Sequence, residues 1–384
     1  GLLNRPGNRL TRSRGKVVHP ARNEREGSMR MLQYDVLVVG AGPAGSCAAR
    51  AAAKAGASVA LVERRSVVGL PVRCAEYIPA MLVGQADVGK DYIAQTTLGM
   101  RSYLHGHRIQ DMTAPGHVIH RDKFDQALAC AAADAGAHVL LGHCVLEREG
   151  GQGGCVVLST PAGDHVRIKA KVIIGADGPH SRVARWVGLS NTHCLPSIQV
   201  RLSLLQKLEH TCIYFDESIT AGYAWLFPKG ETANVGLGML RQKHTPGLHR
   251  VLRRFVRGLS ALGLVRDEPL AFTGGWIPAG PPRPCVAGDI LLAGDAAGHT
   301  HPITGAGIFQ AVIGGQMAGR WAARAVAEGH MAVLQGYADE WNDFYGDVLS
   351  HAHKRRLDWE GYNGVLDHSI NRFWIGFREY YAAS

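Results

Sequence analysis

The composition, 46% apolar and 19% charged, is that of an ordinary globular chain, and 384 residues suffice for two joined domains and a sizeable core. The formal charge of +10 does not indicate a nucleic-acid-binding protein, because residues 1–30 hold eight Arg or Lys and only two Glu. Nothing indicates a membrane span or a metal site. No apolar run reaches 18 residues, and neither the eight cysteines nor the 19 histidines follow a ligand-spacing motif.

Residues 1–31 are predicted to be a basic, disordered leader, since they show no apolar periodicity and no aromatic side chain. The leader lacks the apolar core of a secretory signal, and Met29 or Met31 would serve as a natural start. A basic arm that contacts a membrane or a nucleic acid is the alternative. The cysteine spacing does not suit a disulfide scaffold, which favours a cytoplasmic protein with reduced thiols.

The segment that follows the leader is typical of a nucleotide-binding unit. Residues 34–39 are predicted as a buried strand, GAGPAG (40–45) as a turn into an Ala-rich helix, and 58–62 as a second strand with Glu63 at its end. The first glycine permits the turn, the second lets backbone amides approach a pyrophosphate, and the third lets helix and strand pack closely. The acid is placed to bind a ribose. The predicted cofactor contacts here are Gly40, Gly42, Pro43, Ala44, Gly45, Glu63 and Arg64.

Three later segments extend this pattern. GDILLAGDAAGHTHPITGAG (288–307) is predicted as a strand, a loop and the start of a helix; KVIIGADGPHSRVAR (171–185) contains an Asp-Gly pair; and Arg121 heads an amphipathic helix. Together they resemble the flavoprotein hydroxylase and geranylgeranyl reductase superfamily, which implies bound FAD. The resemblance implies that Asp295 binds the ribityl chain and that the positive end of the following helix faces the flavin. It implies further cofactor contacts from Arg73, Cys74, Arg121, Cys144, Val145, Asp177, Gly178, Gly294, Asp295, Pro302, Gly305, Ala306 and Gly307.

The sequence shows no second GxGxxG unit for NADPH. GGQGG (150–154) precedes a short strand and no helix, and is predicted as a hairpin turn. The electron donor is therefore expected to be either NADPH bound elsewhere or a reduced carrier protein.

GYAWLFPKGETANVGLGM (222–239) is predicted as a β-hairpin with a Lys-Gly-Glu turn. Strand alternation places Tyr223, Trp225 and Phe227 on one face, and Gly236 and Gly238 are expected to leave room for a chain or a flavin. These aromatics either pack the core of an antiparallel sheet or form the wall of an apolar pocket.

The hairpin resembles the Tyr-x-Trp-x-Phe-Pro…Gly-x-Gly signature of the geranylgeranyl reductase family. LPVRCAEYIP (70–79), with Arg-Cys-Ala-Glu at 73–76, and the predicted loop FTGGWIPAGPP (272–282) resemble two further family segments. Family members saturate isoprenoid double bonds on chlorophyll precursors, quinones or archaeal lipids, so the resemblance implies a hydrophobic or lipid substrate. The alternative on the same scaffold is an FAD monooxygenase acting on an aromatic or peptide substrate.

Candidate catalytic groups follow from the need for an acid and an apolar pocket. Cys74 and Tyr223 are the candidate acids, and Trp225 and Phe227 the candidate pocket wall. His299 and His301 are expected beside the isoalloxazine, either as solvated loop residues or as a proton relay.

The expected architecture is an α/β fold in which a Rossmann-like FAD-binding domain is interleaved with an antiparallel-sheet substrate domain. The predicted FAD-binding domain comprises 32–74, 112–190 and 284–330, the substrate domain 75–111 and 191–283, and a C-terminal helical segment 331–384. In the last segment, an aromatic stripe is expected to pack on the core, to cover the substrate tunnel or to touch a membrane transiently. The stripe comprises Ile370, Phe373, Trp374, Phe377, Tyr380 and Tyr381.

Overall fold

A computed structural model describes residues 30–151, 153–243 and 246–382. The predicted leader lies outside these residues except for Arg30 and Met31, which begin the first strand. The helices are α1 Pro43–Lys54, α2 Leu82–Ala86, α3 Arg121–Asp134, α4 Arg182–Trp186, α5 Leu248–Ala261, α6 Ile308–Glu328, α7 Gln335–Trp341, α8 Asp347–Glu360 and α9 Leu366–Phe373.

The strands form two sheets of eight. They are β1 Arg30–Val39, β2 Val59–Glu63, β3 Tyr77–Pro79, β4 Ile93–Leu104, β5 His107–Ile119, β6 His138–Leu141, β7 Cys144–Glu149, β8 Cys155–Ser159, β9 His165–Gly175, β10 Cys194–Ser203, β11 His210–Phe215, β12 Tyr223–Lys229, β13 Thr232–Gly238, β14 Ala271–Pro278, β15 Val286–Ala287 and β16 Ile290–Leu292.

The first sheet is the expected Rossmann-like layer. Its order is β15-β16-β9-β1-β2-β6, and the strands from β16 to β6 run parallel. Strands β7 and β8 form an antiparallel extension on β9, and the predicted turn at 150–154 joins them. The end of β1 at Val36–Val39 is fully buried, because helices cover the parallel sheet.

Helices α1 and α6 cross closely because α6 carries glycines where it meets α1. A Cβ atom on Gly315 would lie 2.1 Å from the Ala44 carbonyl oxygen, and one on Gly319 would lie 2.2 Å from that of Ala48. Only residues without a side chain permit this approach, and it brings the N-termini of both helices toward one another.

The second sheet has the order β14-β10-β13-β12-β11-β4-β5-β3 and is antiparallel except where β11 runs parallel to β4. Alternation gives it two apolar faces. Ala224 and Leu226 pack with α5 on one face, whereas Trp225 and Phe227 pack on the other face with the C-terminal helices.

Two predicted boundaries differ from the structure. Residues 112–119, expected in the FAD-binding domain, complete β5 of the second sheet. The predicted loop at 272–282 is in its first part the edge strand β14, which pairs with β10 from Cys194–Pro278 to Arg201–Ala271. This strand was not predicted from the sequence because it contains two adjacent glycines, Gly274 and Gly275, and glycine is normally depleted in sheets.

The C-terminal segment is helical as predicted, and most of the aromatic stripe packs on the second sheet. Trp374 is 1% exposed and Tyr380 3%, whereas Tyr381 is 66% exposed. Among the described residues, no helix is both long enough and apolar enough to cross a bilayer.

Candidate active site

The glycine turn after β1 has three glycines with three different surroundings. Gly40 has φ +100°, and a Cβ atom there would lie 2.4 Å from the Ala176 carbonyl oxygen; a Cβ on Gly45 would lie 1.8 Å from the Gly40 carbonyl oxygen. Packing alone therefore requires both. A Cβ on Gly42 would meet no atom within 4 Å, so this glycine leaves an open surface at the start of α1. That arrangement suits a pyrophosphate approaching the backbone.

The predicted ribose-binding acid is held at the end of β2. The Glu63 carboxylate accepts hydrogen bonds from the backbone N–H groups of Ala41 and Arg65, each at 3.0 Å. The side chain of Arg64 is exposed, and it is the neighbouring Arg65 that donates to the Leu70 carbonyl at 2.6 Å.

The start of α6 forms a second such site. The Asp295 carboxylate accepts a hydrogen bond from the Thr300 hydroxyl at 2.6 Å, and burial raises the pKa of Asp295. A Cβ atom on Gly307, the residue before α6, would lie 3.0 Å from that hydroxyl oxygen. No side chain caps α6, so the N–H groups of its first turn are free to bind an acceptor.

Both helix starts line one cavity of about 530 Å³. Helix α1 also lacks a side-chain cap, and Gly42 to Ala44 lie on the cavity wall opposite Gly305 to Ile308. Two uncapped helix N-termini, an open glycine and a buried acid are the donors and acceptor that a dinucleotide with a polyol linker requires. The residues present therefore fit FAD.

The aromatic face of the hairpin closes the other side of this cavity. Tyr223, Trp225 and Phe227 line it together, as predicted, and the Tyr223 ring lies 5.1 Å from that of Trp374. The indole N–H of Trp225 donates to the Gln199 side-chain oxygen at 2.9 Å, which fixes the ring. The Trp225 indole fills the space beside Gly236, because a Cβ atom on Gly236 would lie 2.5 Å from the Trp225 ring. The expectation that Gly236 makes room for a substrate or a flavin is wrong.

Cys74 lies in the same cavity, at the boundary between the two sheets. Its sulfur accepts the backbone N–H of Glu76 at 3.2 Å, and its carbonyl accepts the side-chain amide of Gln199 at 3.1 Å. Burial raises the pKa of the Cys74 thiol, and the positive charge of Arg121 opposes part of that rise. The thiol is therefore protonated at neutral pH.

A buried acid behind Cys74 was not recognised in the sequence. Glu76 is fully buried with φ +70°, and its carboxylate accepts from the Lys229 ammonium at 2.6 Å and the Asn234 amide at 2.8 Å. The backbone N–H of Arg121 also donates to it at 3.0 Å. The Arg121 guanidinium pairs with Asp125 at 3.0 Å. This network joins the Cys74 loop to the second sheet and to the start of α3.

The structure does not bring His299 and His301 into the cavity. His299 is 1% exposed and its ring lies parallel to that of Trp341, with centroids 3.5 Å apart; burial lowers its pKa to about 3. The His301 Nδ1 atom accepts from the backbone N–H of Ile303 at 3.3 Å, and burial lowers its pKa to about 4. Both rings are neutral and turned into the protein. This packing is unlike that of solvated loop residues and gives no support to a proton relay.

Eight other predicted contacts are not among the residues that line the cavity: Gly40, Gly45, Glu63 and Arg64, described above, and Cys144, Val145, Asp177 and Pro302. The Asp177 carboxylate caps α4, where it accepts from the Arg182 backbone N–H at 2.6 Å. Cys144 and Val145 belong to β7, and the Pro302 carbonyl accepts from the Arg356 guanidinium at 2.9 Å. The predicted residues that line the cavity are Gly42, Pro43, Ala44, Arg73, Cys74, Arg121, Gly178, Tyr223, Trp225, Phe227, Gly294, Asp295, Gly305, Ala306 and Gly307.

Comparisons with known proteins agree with this arrangement. Residues 35–190 match the family model of FAD dependent oxidoreductases, and residues 196–273 match that of the geranylgeranyl reductase catalytic domain. A digeranylgeranylglycerophospholipid reductase of Methanothrix thermoacetophila is 37% identical over 346 residues, covering 85% of this chain and 86% of the relative. The chain belongs to the geranylgeranyl reductase family.

Three further comparisons relate this geranylgeranyl reductase family member to one curated protein and two solved structures. The digeranylgeranylglycerophospholipid reductase of Methanocaldococcus jannaschii is 36% identical, covering 84% of this chain and 86% of the relative. The crystal structure of a geranylgeranyl bacteriochlorophyll reductase-like protein from Thermoplasma acidophilum superposes with a TM-score of 0.79 at 29% identity, over 86% of this chain and 89% of that one. A probable FAD-dependent monooxygenase from Pseudomonas aeruginosa, at a TM-score of 0.64 and 18% identity over 86% and 97%, shares the fold. The protein is an FAD-dependent oxidoreductase of the geranylgeranyl reductase type, as predicted.

Proposed function

We propose that this enzyme reduces the carbon–carbon double bonds of geranylgeranyl chains attached to a glycerophospholipid. The observation that carries the proposal is that one cavity is lined both by the two helix N-termini and by the aromatic face of β12. The names of the curated relatives support a lipid as the carrier of the chain, in preference to a quinone or a chlorophyll precursor.

The cavity wall suits a prenyl chain. Besides the aromatic side chains of β12, it includes Met100, Met112 and Ile213, which offer apolar contacts without a hydrogen-bonding requirement. A prenyl chain has no polar handle, so it binds where apolar area is buried and where few polar groups converge. The polar groups on the wall lie at the helix starts and around Cys74. Those next to the aromatic face already have partners, because Tyr223 donates to the Thr304 carbonyl and Trp225 to the Gln199 side chain.

FAD would be held at the two helix N-termini and, once reduced by an external electron donor, would supply the hydride for one carbon of the double bond. The Cys74 thiol is proposed to give the proton to the other carbon, so that one pair of hydrogen atoms adds to each double bond. The thiolate left behind is stabilised by the Glu76 N–H and the Arg121 charge, and takes a proton from solvent before the next turnover. The Tyr223 hydroxyl is a weaker candidate, because it donates to the Thr304 carbonyl and burial raises its pKa.

The test is anaerobic turnover of the FAD-loaded enzyme with digeranylgeranylglycerophospholipid, using dithionite so that the physiological donor need not be known. We expect the lipid mass to rise by a pair of hydrogen atoms per double bond. A lipid that stays unsaturated under these conditions would contradict the proposal. An oxygen atom added to an aromatic or peptide substrate under air would instead identify a monooxygenase.

A further inference from the structure

One surface of the second sheet carries charge that the proposed reaction does not use. Between Glu231 and Asp267 the chain has seven Arg or Lys and no acidic residue. Helix α5 lies in this stretch, and its buried residues Val251, Leu252 and Val256 pack on the sheet. Its exposed side chains are basic. They are His249, Arg250, Arg253, Arg254 and Arg257, and together they line a groove of about 470 Å³.

Among the described residues, no acidic side chain pairs with Arg250, Arg253 or Arg257, so these charges are open to an external anion. Arg254 differs, because its guanidinium donates hydrogen bonds to Asp216 and Ser218. Asp267 and Glu268 follow the basic stretch, in the segment that leads into β14.

The basic helix lies beside exposed aromatic and aliphatic side chains. Phe272 on β14 is 56% exposed, and its ring stacks on that of His249 with centroids 5.4 Å apart. Trp276, four residues further along β14, is 50% exposed but lines the substrate cavity near His180, so it does not belong to this set. Leu262, which directly follows α5, and Leu270, which directly precedes β14, are 67% and 57% exposed. We define the α5 surface as the basic face of α5 together with the exposed side chains of Leu262, Leu270 and Phe272.

A single strand, β14, separates the α5 surface from the substrate cavity. At its start, β14 turns Phe272 to the side of α5, whereas the residues that follow, Thr273 to Pro278, line the cavity. Because β14 is the edge strand of the second sheet, whatever covers its outer face lies next to the cavity wall.

We infer that the α5 surface docks on the surface of an anionic lipid bilayer. Arginines with aromatic and aliphatic neighbours match the interface of such a bilayer, where cations meet headgroup phosphates and apolar side chains enter the acyl boundary. A nucleic acid would use the same charges, but it would leave Leu262 and Leu270 in water. The inference rests on the proposed function, since a lipid substrate must be drawn from a membrane, and it names the face that meets that membrane.

The test is co-sedimentation of the full-length FAD-loaded protein with vesicles of phosphatidylglycerol and phosphatidylcholine, and with vesicles of phosphatidylcholine alone. We expect binding to the anionic vesicles that weakens as salt is added. The R250Q/R253Q/R257Q variant should bind about a hundredfold more weakly, at about fivefold per removed charge. The matched control K54Q/K169Q/R324Q removes the same charge from exposed positions on α1, β9 and α6, and should bind like the parent chain.

A second variant tests the apolar part of the α5 surface. Phe272→Thr keeps a strand-forming residue and all charges, and should weaken vesicle binding by about tenfold. Equal binding of parent and triple variant, equal binding to both kinds of vesicle, or preference for RNA over anionic vesicles would each overturn the inference. Turnover of detergent-dispersed lipid should be the same for parent and triple variant. If that lipid is not reduced by either protein, the proposed function fails, whatever the vesicles show.

Discussion

At the scale of single residues, Cys74 has the surroundings of a proton donor. Its thiol is buried on the cavity wall, and burial raises its pKa from the usual 9.0. A reaction that needs the protonated thiol is fully active below the raised pKa and is lost as the pH rises through it. We therefore predict that turnover holds at neutral pH and falls on an alkaline limb above about pH 9.

Cys74→Ser should reduce turnover by roughly 10²- to 10⁴-fold, because a serine hydroxyl is a much weaker acid, and it should abolish the alkaline limb. Flavin content, read from absorbance, should not change. Tyr223→Phe is the matched control and should keep the limb. A limb that persists in Cys74→Ser would show that another group supplies the proton.

Glu76 and Lys229 form a buried ion pair in which both side chains are at most 2% exposed. Lys229→Met removes the nearest counter-ion of the buried Glu76 carboxylate and leaves it with Arg201, which is more distant at 3.4 Å and partly exposed. The free energy of unfolding should therefore fall by up to about 3–5 kcal/mol. The double variant Glu76→Gln with Lys229→Met should recover much of this loss. Urea denaturation of Glu76→Gln, Lys229→Met and the double variant measures the coupling free energy between the two side chains. Purely additive effects would show that the pair does not act as a unit.

Glu76 and Lys229 also show a limit of prediction from the sequence. Lys229 was predicted in the hairpin turn, because Lys-Gly-Glu has ordinary turn composition. The hairpin itself was predicted correctly, but its burial depends on a glutamate 153 positions earlier. Local patterns carry no information about such a distant pair. The orientation of the His299 ring could not be predicted for the same reason, since only its packing against Trp341 shows that the ring points inward.

At the scale of elements, the crossing of α1 and α6 holds the two FAD-binding helix starts together. Gly315→Ala would place a methyl group 2.1 Å from the Ala44 carbonyl oxygen, so the helices must move apart. We predict a loss of about 1–3 kcal/mol in stability together with reduced FAD content. Gly258→Ala in α5 is the control, because a Cβ there meets no atom within 4 Å, and it should leave stability unchanged or raise it by about 0.5–1 kcal/mol. Full FAD content in a stable Gly315→Ala protein would contradict this role of the crossing.

Elements with a strong local pattern were predicted well. The strand, glycine turn and helix from 34 to 54, the helix that begins at Arg121, and the aromatic hairpin all form as expected. Each has a period or a turn residue that physical chemistry ties to one conformation. Strand β14 was missed because its identity comes from eight residues of pairing with β10, which override the low strand propensity of its glycines.

At the scale of the whole molecule, one cavity is lined by the starts of α1 and α6 and by apolar side chains of the second sheet. The central claim is that the aromatic wall of this cavity holds a prenyl chain. Trp225 and Trp359 allow a matched comparison, because both belong to the same apolar cluster and are 6% and 4% exposed, but only Trp225 lines the cavity.

The most direct measurement is therefore kcat/KM for prenyl-lipid reduction by Trp225→Leu and Trp359→Leu, normalised to bound FAD. Both substitutions remove buried aromatic volume, so both should lower thermal stability. Trp225→Leu should in addition lose roughly ten- to a hundredfold in kcat/KM, as expected when a substrate contact worth about 1–3 kcal/mol is removed, while Trp359→Leu should stay close to the parent value. Equal values for the two variants would contradict the claim that this wall binds the prenyl chain.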